Sequence, residues 1–236
     1  MGNSIGYPEK QGLYDPAFEK DNCGVGFVAN IRGEKTNGII KKGLKVLVNL
    51  THRGAVGADP KTGDGAGILV QIPDEFFRIS CDNLGLELPR VGKYAVGMIF
   101  LPKEPALRFQ CEGIFERIAE EEGQKILGWR SVTIDNRNIG ETAKGTEPII
   151  RQIFLGSNFE DSELTEDELQ EEFERRLYII RKRAEKEVIK LVNRNTEYFY
   201  ICSLSSRTIV YKGLLLAEQI KGFYIDLQDI NFKSAL

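Results

Sequence analysis

Apolar residues recur at helical spacing in three stretches of the chain. Ile39, Ile40, Leu44, Leu47 and Leu50 do so between Gly38 and Thr51, with lysines on the opposite face, which predicts an amphipathic helix. Residues 104–122, ended by Gly123, predict a second helix. The third is the longest: Leu169, Phe173, Leu177, Ile180, Ala184, Val188 and Leu191 follow the helical period. Thr165-Glu166-Asp167-Glu168 opens it as a capping box, acids crowd its first turns, and Arg and Lys crowd its later ones. Other stretches read as strands: residues 23–31 alternate small and apolar positions, and 66–72, 93–101, 126–134 and 149–155 are short apolar runs. Residues 198–203 and 208–212 predict a closing strand pair around the turn Ser205-Ser206-Arg207, and Asn37-Gly38 predicts a turn. Strands outnumber one-sided helices, so the pattern predicts an α+β layered domain over residues 23–236. Residues 1–22 lack either period and predict an extended lead-in, or a removable segment, outside the core.

Composition narrows the classes. With 236 residues, 42% hydrophobic and 28% charged, the chain can bury a real core and is not a disordered polymer. The net charge of −3 recommends neither a nucleic-acid nor an anionic-membrane partner. Apolar runs such as 98–101 and 214–217 are too short to cross a bilayer, and no basic segment followed by an apolar one opens the chain, so the expectation is a cytoplasmic protein. Four scattered cysteines and a single histidine, His52, offer no clustered ligand set for zinc or iron–sulfur.

Two motifs have bland readings. Gly63-Asp64-Gly65-Ala66-Gly67 is followed by a strand rather than a helix, the reverse of a dinucleotide fingerprint, and reads as a tight turn with close backbone contact. The acidic run 160–174 lies at a helix start rather than around a glycine turn, so it reads as a solvated face.

Cys23 differs from the other thiols. It stands at the junction of the lead-in and the first apolar stretch, followed by Gly24-Val25-Gly26, and glycine leaves room for a substrate. A nucleophilic thiol needs a base. His52 is one candidate. A second arises if the chain is cut before Cys23, because a free α-amine has a pKa of about 7.7–8.0 against roughly 8.5 for the thiol and can take its proton. A buried structural thiol is the alternative to both.

The string Cys23-Gly24-Val25-Gly26-Phe27, the block from Leu50-Thr51-His52-Arg53-Gly54 through Asp59-Pro60-Lys61-Thr62-Gly63-Asp64-Gly65 to Leu69, and Val210-Tyr211-Lys212-Gly213-Leu214 with the segment 223–236 resemble the amino-terminal class II glutamine amidotransferase domain of the glutamate synthase large chain. The resemblance runs over nearly the whole chain. It implies an N-terminal-nucleophile fold, a four-layer α-β-β-α sandwich incomplete at its C-terminus, and a lead-in of residues 1–22 that is removed. It implies that Cys23 attacks the side-chain amide of L-glutamine, that a γ-glutamyl thioester forms, and that the ammonia released aminates 2-oxoglutarate in later domains or chains. Arg53 with Gly54 matches the stretch whose arginine backs the nucleophile pocket, with His52 a weaker candidate. No cofactor is implied in this chain, the FMN and iron–sulfur cluster belonging to later domains. The family's substrate-gripping arginine, its Asn-Gly oxyanion pair and its amine-binding aspartate are expected beyond Leu236, so these residues alone are expected to turn over little glutamine. A non-catalytic binding or regulatory module is the alternative reading.

Overall fold

The computed structural model describes residues 10–12, 15, 24–53, 59–158, 165–191 and 199–236, with Arg53 described in its backbone only. Helix α1 (Asn37–Asn49) leads to strand β1 (Ala66–Gln71) and helix α2 (Asp74–Asp82). Strand β2 (Tyr94–Leu101), helix α3 (Pro105–Glu121), strand β3 (Lys125–Ser131), the short helix α4 (Glu141–Thr146) and strand β4 (Ile149–Gly156) follow. Helix α5 (Glu166–Val188), strands β5 (Tyr200–Ser205) and β6 (Thr208–Gly213) and helix α6 (Ile220–Phe223) complete the order.

The strands form two antiparallel sheets, one of four strands in the order β3-β4-β2-β5 and one pairing β1 with β6. Strand β2 lies between β4 and β5 and is buried on both faces, which is why Tyr94-Ala95-Val96-Gly97-Met98-Ile99-Phe100-Leu101 is a continuous apolar run rather than an alternating one. Its residues divide between two cores. Ala95, Ile99 and Leu101 pack with Phe115 and Ile118 of α3 and Phe173, Leu177 and Ile180 of α5. Tyr94, Val96 and Met98 join Val70, Ile209 and Tyr211 of the smaller sheet, with Ile40 and Leu44 of α1 and Phe76 and Phe77 of α2.

The helix signals at α1, α3 and α5 are realised. The Thr165 hydroxyl accepts from the Glu168 N–H at 3.4 Å while Glu168 Oε2 accepts from the Thr165 N–H at 2.9 Å, so two end donors are satisfied reciprocally. Across the helix pair, Arg183 joins Glu122 at 2.6 Å and Arg176 joins it at 3.3 Å. Trp129 packs edge-on against Phe115 and donates to Glu116, a packing role.

Three expectations are corrected. Residues 24–30 form no strand: their alternation suits one, but no ladder partner lies beside them among the described residues, and the Asn30 N–H goes to Ala235 O at 2.8 Å. Asn37-Gly38 is not a turn but the start of α1, because buried Asn37 donates to Asp229 O and Phe232 O, both at 3.0 Å, and is fixed there by the far end of the chain. The closing strands β5 and β6 do not pair with each other; β5 joins the large sheet and β6 the small one. Side chains bridge the split, the Val210 N–H donating to Ser203 Oγ at 3.1 Å and Cys202 Sγ to Val210 O at 3.5 Å. Position 23 of the first expected strand, Tyr198, residues 160–164 of the acidic run, and most of the lead-in 1–22 lie outside the described residues.

One buried polar network joins the sheets. Arg130 of β3 makes a two-pronged pair with Asp226, Nη1 to Oδ2 at 2.8 Å and Nη2 to Oδ1 at 2.7 Å, and also donates to Gln152 Oε1 of β4 at 2.8 Å. Gln152 donates to Tyr211 Oη of β6 at 2.9 Å, and Tyr211 donates onward to Asp226 Oδ2 at 2.9 Å. Burial opposes the charge on Arg130, but the Asp226 hydrogen bonds prevail and its pKa rises. Burial, reinforced by the Asp226 charge, pushes the Tyr211 phenol well up. Asp226→Asn or Arg130→Met strands the other charge in the interior and is expected to cost about 3–5 kcal/mol of unfolding free energy in urea titrations. The apolar double replacement Arg130→Met with Asp226→Leu should cost clearly less than the two singles summed.

Candidate active site

The glycines after position 23 are set by close packing. A Cβ added at Gly26 would stand 2.6 Å from Val46 Cγ1 and 3.9 Å from Leu50 Cδ1, so only a glycine lets this segment lie against the last turns of α1. Leu50 closes α1, and Thr51–Arg53 forms a 3₁₀ turn directly after it. The segment that follows Cys23 and the backbone of Arg53 are therefore carried at the same end of one helix.

A cleft of about 380 Å³ runs along this junction, lined by residues 24–28, by α1, by Gly67-Ile68-Leu69-Val70 of β1 and by Leu236. Val25 and Phe27 are 86% and 84% exposed beside it. Next to the lining residues Val70 and Leu236 the chain is held by backbone exchange between Thr36 and Ser234, by the Gln71 N–H donating to Ser234 Oγ at 3.1 Å, and by the Ala235 N–H donating to Gln71 Oε1 at 3.0 Å. His52 is exposed, with Nδ1 at 3.1 Å from Asn49 O of the preceding helical turn. Cys23 and Gly54 lie outside the described residues, and so does the Arg53 side chain.

Residues 59–65, which lead into β1, are anchored at Asp59. Asp59 Oδ1 accepts from the Lys61 N–H at 3.0 Å, and Oδ2 accepts from the Thr62 hydroxyl at 2.8 Å and from the Thr142 N–H in the first turn of α4 at 3.1 Å. Gly140 N–H donates to Lys61 O at 2.9 Å, and Gln219 Nε2 donates to the same oxygen at 2.9 Å. The glycine motif beyond is a matter of contact, as its order implied: a Cβ at Gly63 would meet Leu215 O at 2.4 Å. Sequence reasoning did not single out Asp59. A helix cap supplied from more than eighty residues away leaves no local signal.

The described cysteines are inert by environment. Burial pushes the thiols of Cys81 and Cys202 up to about 11, and Cys111 is also buried. Among the described residues no three His, Cys, Asp or Glu side chains gather where a metal could be held, and no helix is long and apolar enough to cross a membrane.

The family model for class II glutamine amidotransferases matches residues 23–236. The chain belongs to that family. This amidotransferase chain is 49% identical over 230 residues, 97% of its length, to the glutamate synthase [NADPH] large chain of Bacillus subtilis, of which it covers 14%. It is 43% identical over 232 residues to glutamate synthase [NADH] of Saccharomyces cerevisiae, covering 96% of this chain and 10% of that protein. It is 39% identical over 227 residues to ferredoxin-dependent glutamate synthase 1 of Arabidopsis thaliana, covering 96% of this chain and 13% of that one. The amidotransferase chain thus spans about a seventh or less of these curated relatives.

Two outcomes follow from the amidotransferase geometry. Iodoacetamide at neutral pH should leave Cys81, Cys111 and Cys202 unlabelled in the folded protein and label all three in urea, as read by peptide mapping; fast native labelling of any of them contradicts their burial. The N–H groups of Lys61 and Thr142, with the Thr62 hydroxyl, hold the Asp59 carboxyl below its ordinary value of 3.8. Its contribution to stability is therefore present above that value and is lost as the pH falls through the lower, folded one. Asp59→Asn should unfold more easily than the parent at pH 7, and the gap should close steadily below pH 4.

Proposed function

We propose that this chain is the glutaminase portion of a glutamate synthase and that Cys23 is its nucleophile. The observation that carries the reading is a family match over residues 23–236 that opens on this cysteine. Packing supports it, since Gly26 brings the segment after Cys23 to the end of α1 that continues into Arg53. The names of the relatives favour a synthase over a non-catalytic module.

In this reading residues 1–22 are removed and Cys23 becomes the first residue. Its α-amine, with a reference pKa of about 7.7–8.0, takes the thiol proton. The thiolate attacks the side-chain amide of L-glutamine; the carbon–nitrogen bond breaks as the sulfur–carbon bond forms, and the proton held on the amine leaves with ammonia. Water then cleaves the γ-glutamyl thioester, giving glutamate and restoring the thiol. Arg53 with Gly54 backs the pocket. The two sheets are the inner layers of a four-layer α-β-β-α sandwich of the N-terminal-nucleophile type. Ammonia passes to other domains or chains of the synthase for amination of 2-oxoglutarate, and the FMN and iron–sulfur cluster reside there. The site of action is cytoplasmic, with neither a nucleic-acid nor a membrane partner.

The test uses the longer protein that carries this chain. Treatment with the glutamine analogue 6-diazo-5-oxo-L-norleucine should label Cys23 alone and stop ammonia release, and mass spectrometry of active protein should find a chain beginning at Cys23. Cys23→Ser should abolish glutamine-dependent activity, whereas His52→Gln should retain most of it. Labelling elsewhere, or active protein with an intact Met1, would falsify the mechanism.

A further inference from the structure

Residues 24–30 pair with no strand among the described residues, so the place of this segment is set by the elements it rests on. At its far end the Asn30 N–H donates to Ala235 O at 2.8 Å. At its near end, three positions after Cys23, Gly26 lies against helix α1. Gly26 is not one of the glycines with a positive φ, so the position demands room rather than conformational freedom.

One methyl group limits that room. A Cβ at position 26 would stand 2.6 Å from Val46 Cγ1, whereas carbon atoms rest about 3.5–4.0 Å apart. The next atoms, Leu50 Cδ1 at 3.9 Å and Val46 Cβ at 4.0 Å, are at ordinary contact distance. Val46 yields poorly, because a β-branched side chain within a helix holds one χ1 rotamer. The strain of an added carbon therefore falls on the segment, which must withdraw from α1 by about 1 Å. A misplacement of that size, made away from the reacting atoms, can cost about a hundredfold in rate.

We infer that the seating of Gly26 on Val46 sets the reach of the Cys23 thiol, which makes the two positioning residues for attack on the glutamine side-chain amide. They act through the backbone that joins position 26 to position 23. The inference rests on Cys23 being the nucleophile, and it goes further by assigning the aim of that thiol to a contact on the side of α1.

The experiment follows labelling of Cys23 by 6-diazo-5-oxo-L-norleucine in the longer protein, using peptide mass mapping to read both the rate and the fraction labelled at completion. Gly26→Ala should slow labelling and lower kcat for glutamine by about tenfold to a hundredfold, with the final fraction unchanged. A merely structural role would lower the fraction instead and leave the rate alone. Val46→Ala removes the 2.6 Å contact, so the double variant Gly26→Ala with Val46→Ala should label as fast as Val46→Ala. Gly26→Ala as fast as unaltered protein, a lowered fraction at unchanged rate, or a double variant as slow as Gly26→Ala overturns the inference and leaves Cys23 the nucleophile. No label on Cys23 of the unaltered protein overturns the nucleophile reading, and this inference with it. If Gly26→Ala alone fails to fold, the double variant against Val46→Ala decides: equal rates support the contact, and a slower double variant overturns it.

Discussion

Two sheets stacked through an apolar layer could slide past each other, because dispersion and hydrophobic burial carry little directional information. Arg130, Asp226, Gln152 and Tyr211 supply the direction here. The guanidinium sits 5.1 Å above the Phe76 ring and is held from β3, the amide comes from β4, the phenol from β6 and the carboxylate from the 3₁₀ turn Ile225–Gln228. The carboxylate receives from both guanidinium nitrogens and from the phenol, so the ion pair is closed by neighbours rather than left to a bare Coulomb term. Such an arrangement is a weak source of net stability and a strong source of register, since a small slip breaks several bonds at once in a medium that cannot replace them.

That register reaches the cleft through β1. Strand β1 is fixed to β6 by a ladder that pairs Ile68 with Tyr211, and Tyr211 is the network's phenol. Gln71 at the end of the same strand holds the segment that ends in the lining residue Leu236, and another wall is α1, whose Gly43 and Val46 meet Ile68 and the Gly26 segment respectively. The segments around Cys23 and Arg53 are thus carried by elements whose position is set across the molecule.

Much of this was legible in the sequence, for identifiable reasons. The helices α3 and α5 carry their own end signals, such as the Thr165 box, and β2 announces its double burial by an unbroken apolar run. Helix α2 went unread although Pro73 followed by Asp74 and Glu75 is a helix-start pattern; Asp74 in fact accepts from Arg78 at 2.9 Å and from Tyr94 Oη at 2.8 Å. The errors at residues 24–30 and at Asn37-Gly38 have one cause. Local pattern proposes a strand or a turn, but the deciding hydrogen bonds come from residues 229–235, about two hundred positions away. Of the candidate site, the close-contact glycines 63–67 were readable, whereas the Thr51–Arg53 turn was not read and the Asp59 anchor depends on a helix end that no neighbouring residue encodes.

The split of β5 from β6 bears on how the molecule comes apart. Strands adjacent in the chain are sewn into different sheets, with only Ser206 and Arg207 between them and with Ser205 and Ser206 both tied to Glu174 of α5. Neither sheet can peel away without dragging the other's edge through that short connection. Opening of either sheet is thereby expected to load the other, which favours cooperative over sheet-by-sheet unfolding.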